Sequence, residues 1–339
     1  MFLGMVPVRI SFAGGGTDMP EYYENYGGCV VSTAITRFTY VIINPRHDNL
    51  FQSFSSDFQK HHETTSYETL EPKHGSEIAV AVVKHLGYKE GANFLISSDV
   101  QAGSGLGASS ALAVNFVKTI SVLQGKDFTK EEIAETAFHI ERNILYHPIG
   151  RQDEYATSFG GFNYLTFEKN KVKVQPITLN KNTQEEFEKN LLLFFVGNSI
   201  RDSATILNNQ IEQIKQNQKT MLDSLHYVKQ LAEDFYKSLI KSDIDAVGEL
   251  LNRGWEAKKK FAKGVTNEDI DKIYEFALKN GALGGKLTGA GGGGHMLFYC
   301  ESRKQQSLIE KMNSLGFKQV KFRFHSEGPK VLDLYDFSK

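Results

Sequence analysis

The chain has only two cysteines among its 339 residues, Cys29 and Cys300, and no Cys-x-x-Cys pair occurs. So few thiols argue against a disulfide framework and against a zinc site built on cysteine. A low cysteine content is typical of proteins from a reducing compartment. We therefore expect a cytoplasmic protein whose fold depends on its hydrophobic core.

An excess of charge and long apolar runs are also missing. Lys and Arg total 39 against 40 Asp and Glu, so the formal net charge is -1. This balance gives no electrostatic reason to expect nucleic acid or an anionic membrane as a partner, although a local basic pocket for a small phosphorylated molecule is compatible with it. No apolar run approaches membrane-spanning length, and the first residues lack the features of a signal peptide. The sequence leaves the oligomeric state open.

The length is too great for one ordinary core and suits two domains. Strand and helix patterns are mixed through both halves, which predicts an α+β fold. A predicted hairpin over residues 162–177 precedes an apolar strand pattern at 191–196. We place the domain boundary between them, which gives domains of residues 1–180 and 181–339.

Glycine occupies alternate positions at Gly103, Gly105 and Gly107, and the hydroxyls of Ser109 and Ser110 follow directly before a predicted helix. Glycine accepts left-handed backbone angles and lets a ligand approach the main chain. Free N–H groups that lead into a helix N-terminus bind anions. The stretch therefore predicts a phosphate cradle.

Two further glycine-rich turns occur, at Gly14 and at Gly289, and neither is specific alone. Residues 289–294 match G-x-G-x-x-G, but a strand is predicted after them, so the structural context of a dinucleotide-binding fold is absent. The stretch at 103–110 lacks the Lys of a Walker-type P-loop.

Glu141 interrupts an apolar stripe of residues spaced four apart on a predicted helix. The stripe consists of Ile133, Ala137 and Leu145. A buried carboxylate needs a partner. Spacing alone favours a salt bridge, for example to Arg142 or Arg151, and leaves a metal ion as the alternative.

A capping box of Thr129 and Glu132 predicts where this helix begins, and the pattern continues to about Tyr146. Asp153 follows in a polar stretch. Its position suits a helix N-cap and a functional carboxylate equally well.

Three motifs follow one another along the chain. They read Pro-Val-Arg-x-x-x-Ala-Gly-Gly-Gly-Thr-Asp from Pro7, Gly-Ser-Gly-Leu-Gly-Ala-Ser-Ser-Ala from Gly103, and Gly-Ala-Gly-Gly-Gly-Gly from Gly289. This ordered set resembles the GHMP small-molecule kinases over nearly the whole chain. The resemblance implies a two-domain α+β fold, with an N-terminal domain like ribosomal protein S5 domain 2 and a C-terminal ferredoxin-like domain. It also implies ATP as phosphoryl donor and Mg²⁺ as cofactor.

The resemblance also assigns site residues, motif by motif. The loop implied to bind the nucleotide comprises Gly103, Ser104, Gly105, Leu106, Gly107, Ala108, Ser109 and Ser110. The residues implied to surround the acceptor are Gly15, Gly16, Thr17, Asp18, Asp153, Gly289, Ala290, Gly291 and Gly292. Ser110 and Glu141 are the implied magnesium ligands. Arg9 is implied to offset charge on the phosphoryl group, and Asp153 to accept or orient the proton of the acceptor hydroxyl.

Within the family, the first motif is most similar to that of heptose 7-phosphate kinases. Three other pieces agree with that subgroup: residues 150–163, Ile200-Arg201 and Glu327-Gly-Pro-Lys. The implied reaction is transfer of the γ-phosphoryl group to the anomeric hydroxyl of D-glycero-D-manno-heptose 7-phosphate, a small-molecule sugar phosphate, in the synthesis of nucleotide-activated heptose. Two alternatives are a sugar-1-kinase for an unphosphorylated sugar such as L-fucose, and a sugar- or nucleotide-binding homologue without catalysis.

The glycine loop departs from the family pattern in two places. Gln101-Ala102 stands where relatives usually have proline, and Ala108 stands where serine or glycine is common. Neither change removes an implied ligand. The residue that holds an acceptor phosphate is open among Arg201, Lys286 and Lys330.

Overall fold

The computed structural model describes residues 1–56, 60–64, 67–72, 75–101, 103–197 and 203–335. Within this part of the chain the strands are β1 Phe2–Ala13, β2 Gly28–Pro45, β3 Phe51–Ser55, β4 Lys60–Thr64, β5 Ala92–Ser98, β6 Phe162–Glu168, β7 Lys171–Pro176, β8 Leu191–Gly197, β9 Ala282–Leu287, β10 Gly294–Cys300 and β11 Lys330–Asp333. The helices are α1 Pro20–Tyr26, α2 Glu77–Leu86, α3 Ala108–Leu123, α4 Lys130–His139, α5 Gln152–Phe159, α6 Lys181–Lys189, α7 Ser203–Lys215, α8 Lys219–Ile240, α9 Ala246–Lys258, α10 Glu268–Lys279 and α11 Ser302–Ser314.

The larger sheet has the strand order β11-β1-β2-β5-β3-β4. Its longest strand, β2, pairs with β5 along one half and with β6 along the other, and β7 extends the sheet from β6. Helix α3 packs against β1 and β2, and its buried face includes Val114, Phe116 and Val117. Gly4 allows this close approach, since a Cβ there would lie 2.1 Å from the Asn115 side chain.

The smaller sheet has the order β8-β10-β9, and both of its pairings are antiparallel. An isolated bridge joins Phe194 of β8 to Gln319. With α10 and α11 on the connections, this order matches a ferredoxin-like arrangement. Residues 319–324 form two isolated bridges and no continuous strand, because the segment touches β8 at Gln319 and β2 at Phe324.

An aromatic cluster joins the two halves of the chain. Phe12, at the end of β1, lies 5.4 to 6.3 Å between ring centroids from Phe162, Phe187, Phe235 and Phe324. Rings at these distances favour offset or edge-to-face contact. The cluster fixes the point where the chain enters the turn at Gly14.

The chain also returns to the first sheet after the second one is complete, because β11 pairs antiparallel with β1. The division at residues 180 and 181 stays a prediction. No helix among the described residues combines the length and the apolar character that a membrane crossing requires.

Candidate active site

The glycine loop leads into α3 with left-handed angles at Gly103, Gly105 and Gly107, whose φ values are +74°, +76° and +73°. Gly105 also has no room for a side chain, because a Cβ would lie 2.6 Å from the Thr288 carbonyl oxygen. The contact is reciprocal, because a Cβ on Gly289 would lie 2.5 Å from the Gly105 Cα. The second and third glycine motifs are therefore in direct backbone contact.

Three consecutive carbonyl groups of the loop accept hydrogen bonds from the protein. The Ser104 carbonyl accepts a hydrogen bond from His295 Nδ1 at 2.8 Å, and the Gly105 carbonyl accepts one from the Arg9 guanidinium at 2.8 Å. The Leu106 carbonyl accepts from the Arg9 backbone N–H at 3.0 Å. A carbonyl can only accept, so His295 carries its proton on Nδ1.

Several N–H groups of the loop, in contrast to its carbonyls, have no hydrogen-bond partner in the described part of the protein. Within the described part of the chain, the N–H groups of Gly105, Gly107 and Ala108 have no protein acceptor. Gly107 occupies the N-cap position of α3 and has no side chain that could accept from the first turn. Free donors at a helix N-terminus suit an anion. This geometry agrees with the phosphate cradle, while the nucleotide-binding role stays a prediction.

Arg9 and Asp153 form a bidentate pair beside the loop. Arg9 Nε donates to Asp153 Oδ1 at 2.7 Å, and Nη2 donates to Oδ2 at 2.6 Å. Arg9 is 4% exposed and Asp153 is 22% exposed. Arg151 precedes α5 at the N-cap position, so Asp153 lies inside the first turn of the helix. The N-cap alternative for Asp153 is therefore wrong.

Glu141 is fully buried, in a π-helical segment, Ile140–Ile144, that continues from α4. The capping box at Thr129 and Glu132 that opens α4 is present as expected. Neither arginine pairs with Glu141, because Arg142 binds Glu21 and Arg151 binds Glu135. Both expected arginine partners of Glu141 are therefore wrong. The basic group beside this carboxylate is His147, whose Nδ1 lies 3.4 Å from Glu141 Oε1.

The hydroxyl that meets Glu141 belongs to Ser109, whose Oγ donates to Glu141 Oε1 at 2.7 Å. Ser110 instead donates to Glu154 Oε1 at 3.0 Å. Consecutive residues of an α-helix point about 100° apart, so the two hydroxyls cannot face the same carboxylate. The two implied magnesium ligands, Ser110 and Glu141, are therefore not hydrogen-bonded to each other, and their role as ligands stays a prediction.

Glu154 was not singled out in the sequence. It is fully buried, and its Oε2 has no hydrogen-bond partner among the described residues. Burial, followed by the nearby charges of Glu141 and Asp153, raises the pKa of Glu154 well above its ordinary value. The sequence shows no spaced pattern of residues around Glu154 that would single it out beside Asp153.

Asp18 connects the first motif to α5. Its carboxylate accepts from the Gly16 N–H at 2.9 Å and from Gln152 Nε2 at 3.1 Å. Burial, followed by the charge of Asp153, raises the pKa of Asp18. Gly150 must be glycine here, because a Cβ would lie 2.1 Å from Asp18 Oδ2.

Thr17 of the first motif is held inside the turn by hydrogen bonds to the protein itself. It is fully buried, and its hydroxyl donates to the carbonyls of Gly14 and Cys29 at 2.8 and 2.9 Å. The structure therefore places Thr17 inside the turn and not against a ligand. The same hydroxyl oxygen accepts from the Cys29 N–H at 3.1 Å, so Thr17 links the turn to β2.

A cavity of about 510 Å³ lies between these motifs. Its lining includes the apolar side chains of Ile78, Ile96, Val100 and Leu112 together with the glycine loop. The predicted residues that line the cavity are Arg9, Gly15, Gly16, Asp18, Gly103, Ser104, Gly105, Gly107, Ala108, Ser109, Ser110, Asp153, Gly289, Ala290 and Gly291. Those outside its lining are Thr17, Leu106, Glu141 and Gly292. Leu106 packs in the core.

Two lysines also line the cavity. Lys286 donates from Nζ to the carbonyls of Ser11 and Phe12 at 2.8 and 3.1 Å, and Lys258 donates to the Gly289 carbonyl. Lys258 was missed, although it lies on one helical face with Leu251 and Trp255 at spacings of four and three. That is the signal that drew attention to Glu141.

The other candidates for an acceptor phosphate are elsewhere. Lys330 is exposed on β11 and does not line the cavity. Arg201, the Ile200-Arg201 pair and Ala102 lie outside the described residues.

Two other glycine-containing pieces meet at the end of α5. A Cβ on Gly160 would lie 2.1 Å from the backbone of Glu327, and one on Gly328 would lie 2.2 Å from the Ser158 carbonyl. These stretches therefore fix the end of the helix that carries Asp153.

Comparisons with known proteins agree with this architecture. Residues 75–161 match the family of GHMP kinases N terminal domains, and residues 235–318 match GHMP kinases C terminal. Over 330 residues the chain is 32% identical to the D-glycero-alpha-D-manno-heptose 7-phosphate kinase of Campylobacter jejuni, covering 96% of both chains. The chain belongs to the GHMP kinase family. As a GHMP kinase it is a phosphotransferase with an alcohol group as acceptor.

Two more relatives are similar to this chain over nearly its whole length. The crystal structure of a D-glycero-D-manno-heptose 1-phosphate kinase from Bacteroides thetaiotaomicron has a TM-score of 0.81 at 25% identity, covering 99% of this chain and 100% of that one. The bifunctional fucokinase/GDP-fucose pyrophosphorylase of Arabidopsis thaliana is 26% identical over 93% of this GHMP kinase. The match covers 31% of that longer protein.

The GHMP family implies a magnesium ion, and the residues present fit one. Ser109 and Glu141 supply hard oxygen donors, and Glu141 Oε2 is buried with no hydrogen-bond partner among the described residues. No cluster of three or more His, Cys, Asp or Glu occurs in that part of the chain. One carboxylate and one hydroxyl suit Mg²⁺, which takes one or two protein carboxylates together with phosphates and water.

Proposed function

We propose that this GHMP kinase transfers the γ-phosphoryl group of ATP to the anomeric hydroxyl of a heptose 7-phosphate, most closely D-glycero-D-manno-heptose 7-phosphate. The observation that carries the proposal is the Arg9–Asp153 pair, which lies beside Gly107 of the glycine loop in the lining of the cavity. We take the part of the cavity lined by the first and third motifs and by Gln152 as its acceptor side. The relative from Campylobacter jejuni, whose name states this acceptor, supports the choice of sugar. Such a reaction supplies nucleotide-activated heptose synthesis and belongs in the cytoplasm, where ATP is available.

In the proposed reaction, the acceptor oxygen forms a bond to the γ-phosphorus while the bond to the ADP oxygen breaks. The free N–H groups of Gly105, Gly107 and Ala108 hold phosphate oxygens. Arg9 offsets charge that develops on the phosphoryl group. Asp153 accepts the hydroxyl proton or orients the hydroxyl.

Ser109 and Glu141 are the residues that would hold Mg²⁺ beside this loop. When bound, the ion neutralises charge on the nucleotide phosphates. Glu154 holds Ser110 in place through its Oε1, so the first turn of α3 is fixed at both serines.

The acceptor side of the cavity favours a molecule with several hydroxyls. Ser11 Oγ, Gln152 Oε1 and Gln210 Nε2 all belong to residues that line the cavity, and each atom is buried without a hydrogen-bond partner among the described residues. Together they offer both donors and acceptors, as the hydroxyls of a sugar require. An unpaired buried polar atom costs about 1–3 kcal/mol, which a bound sugar would recover.

The test is an ADP-release assay with heptose 7-phosphates, free hexoses including L-fucose, and mevalonate. Turnover should be greatest with a heptose 7-phosphate. Turnover with a free hexose and none with any heptose phosphate would refute the proposed acceptor.

The catalytic assignment is tested with Asp153→Asn, which keeps the size of the side chain. We expect kcat to fall by about 10²- to 10⁴-fold, the usual contribution of acid–base catalysis. Asp234→Asn, on the exposed face of α8, is the matched control and should retain full activity. Undiminished turnover by Asp153→Asn would refute the role.

A second candidate is a sugar-1-kinase for an unphosphorylated sugar such as L-fucose. It is favoured by the similarity to the fucokinase-containing protein of Arabidopsis thaliana and by the uncharged polar atoms on the acceptor side. A binding protein without catalysis is less well supported, because the Arg9–Asp153 and Ser109–Glu141 pairs are both formed.

A further inference from the structure

Three cationic side chains converge on the cavity: Arg9 from β1, Lys258 from the end of α9 and Lys286 from β9. Two carboxylates, Asp18 and Asp153, line the same space. Basic side chains therefore outnumber carboxylates, although burial, followed by the charges of Lys258 and Arg9, lowers the pKa of Lys286 well below its ordinary value. A concave space with such an excess attracts anions.

Two of the three cations have most of their donors engaged by the protein. Arg9 gives Nε and Nη2 to Asp153 and Nη1 to the Gly105 carbonyl. Lys286 gives two hydrogen bonds to backbone carbonyls of β1. Both side chains thus have evident structural partners.

Lys258 is different. Its Nζ donates to the Gly289 carbonyl, and no other hydrogen bond of this ammonium group occurs among the described residues. An ammonium group has three donors, so two remain for a ligand in the cavity. The partner carbonyl belongs to the third glycine motif, which itself touches the loop at Gly105.

The electrostatic surroundings of Lys258 agree with a role in anion binding. Burial and the charge of Arg9 lower its pKa to about 8, against the opposing effect of Asp18 and Asp153. Lys286 also faces it. A phosphate oxygen beside the ammonium group would reverse the lowering, since opposite charge favours the charged form.

We propose that Lys258 binds an oxygen of a phosphate group at the junction between the Gly289 turn and Asp153. The inference deepens the proposed kinase function and rests on it. The phosphate has two chemical sources, the γ-phosphoryl group of ATP and a phosphate that the acceptor carries. Both present the same oxygen chemistry to the ammonium group.

The variants are Lys258→Met, which removes the charge at similar length, and Lys258→Arg, which keeps it. Lys260→Met is the matched control, because Lys260 is exposed and lies outside the cavity lining two residues further along. We expect Lys258→Met to lower kcat/KM by about 10- to 100-fold, the range for losing a charged hydrogen bond. Lys258→Arg should restore part of that loss. Urea unfolding of each variant separates this effect from a loss of folded protein.

Two measurements distinguish the sources of the phosphate. If Lys258 binds the γ-phosphoryl group, Lys258→Met weakens binding of a non-hydrolysable ATP analogue but not of ADP, and kcat falls with every acceptor. If it binds a phosphate on the acceptor, KM rises for the phosphorylated acceptor alone and nucleotide binding is unchanged. Either result supports the inference.

A pH profile gives a readout that a merely structural lysine would not change. Because the ammonium form binds phosphate, kcat/KM of the wild type should fall above pH 8, and Lys258→Arg should move this limb to higher pH. The inference is overturned if Lys258→Met keeps kcat, both KM values and analogue binding within twofold of the wild type. The binding arm needs no acceptor, so a wild type that fails to phosphorylate any heptose would refute the proposed acceptor without deciding the role of Lys258.

Discussion

Gly103 and Gly105 provide a matched pair for testing how the phosphate cradle is built. Both have left-handed φ angles, +74° and +76°. A Cβ on Gly103 would meet nothing within 4 Å, whereas a Cβ on Gly105 would lie 2.6 and 2.7 Å from the Thr288 carbonyl and hydroxyl oxygens. Substitution by alanine therefore separates backbone strain from contact with the second half of the chain.

The expected magnitudes follow from these two effects. The left-handed conformation costs an alanine about 1–2 kcal/mol, so Gly103→Ala should lower the free energy of unfolding by about that amount. Gly105→Ala carries the same strain, and it must also displace the Thr288 backbone. Overpacking of this kind costs about 1–3 kcal/mol more. The reduced entropy of the unfolded chain offsets both variants equally.

Urea unfolding of both variants, with ADP titration of the folded proteins, measures the difference. Gly125→Ala is the remote control, since Gly125 has φ +70°, no neighbour within 4 Å of its Cβ position and no place in the cavity lining. Its unfolding free energy should match that of Gly103→Ala. If Gly103→Ala and Gly105→Ala are equally stable and bind ADP equally, the contact between the two glycine motifs does not shape the loop.

Two further outcomes are expected from the buried carboxylates. Ser109→Ala should raise the Mg²⁺ concentration for half-maximal activity by about tenfold or more, whereas Ser110→Ala should change it little. The reason is that, of the two serines, only Ser109 contacts Glu141. Equal effects of the two variants would contradict the pairing of Ser109 with Glu141. Glu154→Gln should be more stable than the wild type at pH 8, and the difference in unfolding free energy should shrink as the pH falls toward about 4.3, the ordinary pKa of glutamate. The sign follows from the raised pKa of Glu154. As the pH rises, this carboxyl ionises readily in the unfolded chain but only at a cost in the folded protein, so the wild type loses stability. A difference in unfolding free energy that is independent of pH would refute this account.

The sequence predicted features that depend on local spacing. Glu141 was found because a carboxylate interrupts an apolar stripe, and the helix that leads to it begins at the predicted capping box. The spacing of glycines and apolar residues also predicted the glycine loop and the helix that follows it. The family resemblance then supplied the order of the motifs and the two-domain fold.

Features that depend on helix phase or on distant contacts were not available from spacing. Which of Ser109 and Ser110 meets Glu141 depends on where α3 begins, and an error of one residue turns the side chain by about 100°. Thr17 lies in the first motif, yet its hydroxyl is turned toward the Cys29 carbonyl in the neighbouring strand β2. Lys258 is far from the loop in sequence and reaches it only through the fold.

The direction of the loop's peptide groups illustrates why the motif alone is insufficient. An anion cradle requires N–H groups that face the ligand, so the carbonyls must find donors on the opposite side. Those donors come from elsewhere: Arg9 of β1 binds two of the carbonyls, and His295 of β10 binds a third. Because His295 follows the third glycine motif, the second half of the chain holds one wall of the cradle. The glycines permit the conformation, and these distant donors select it.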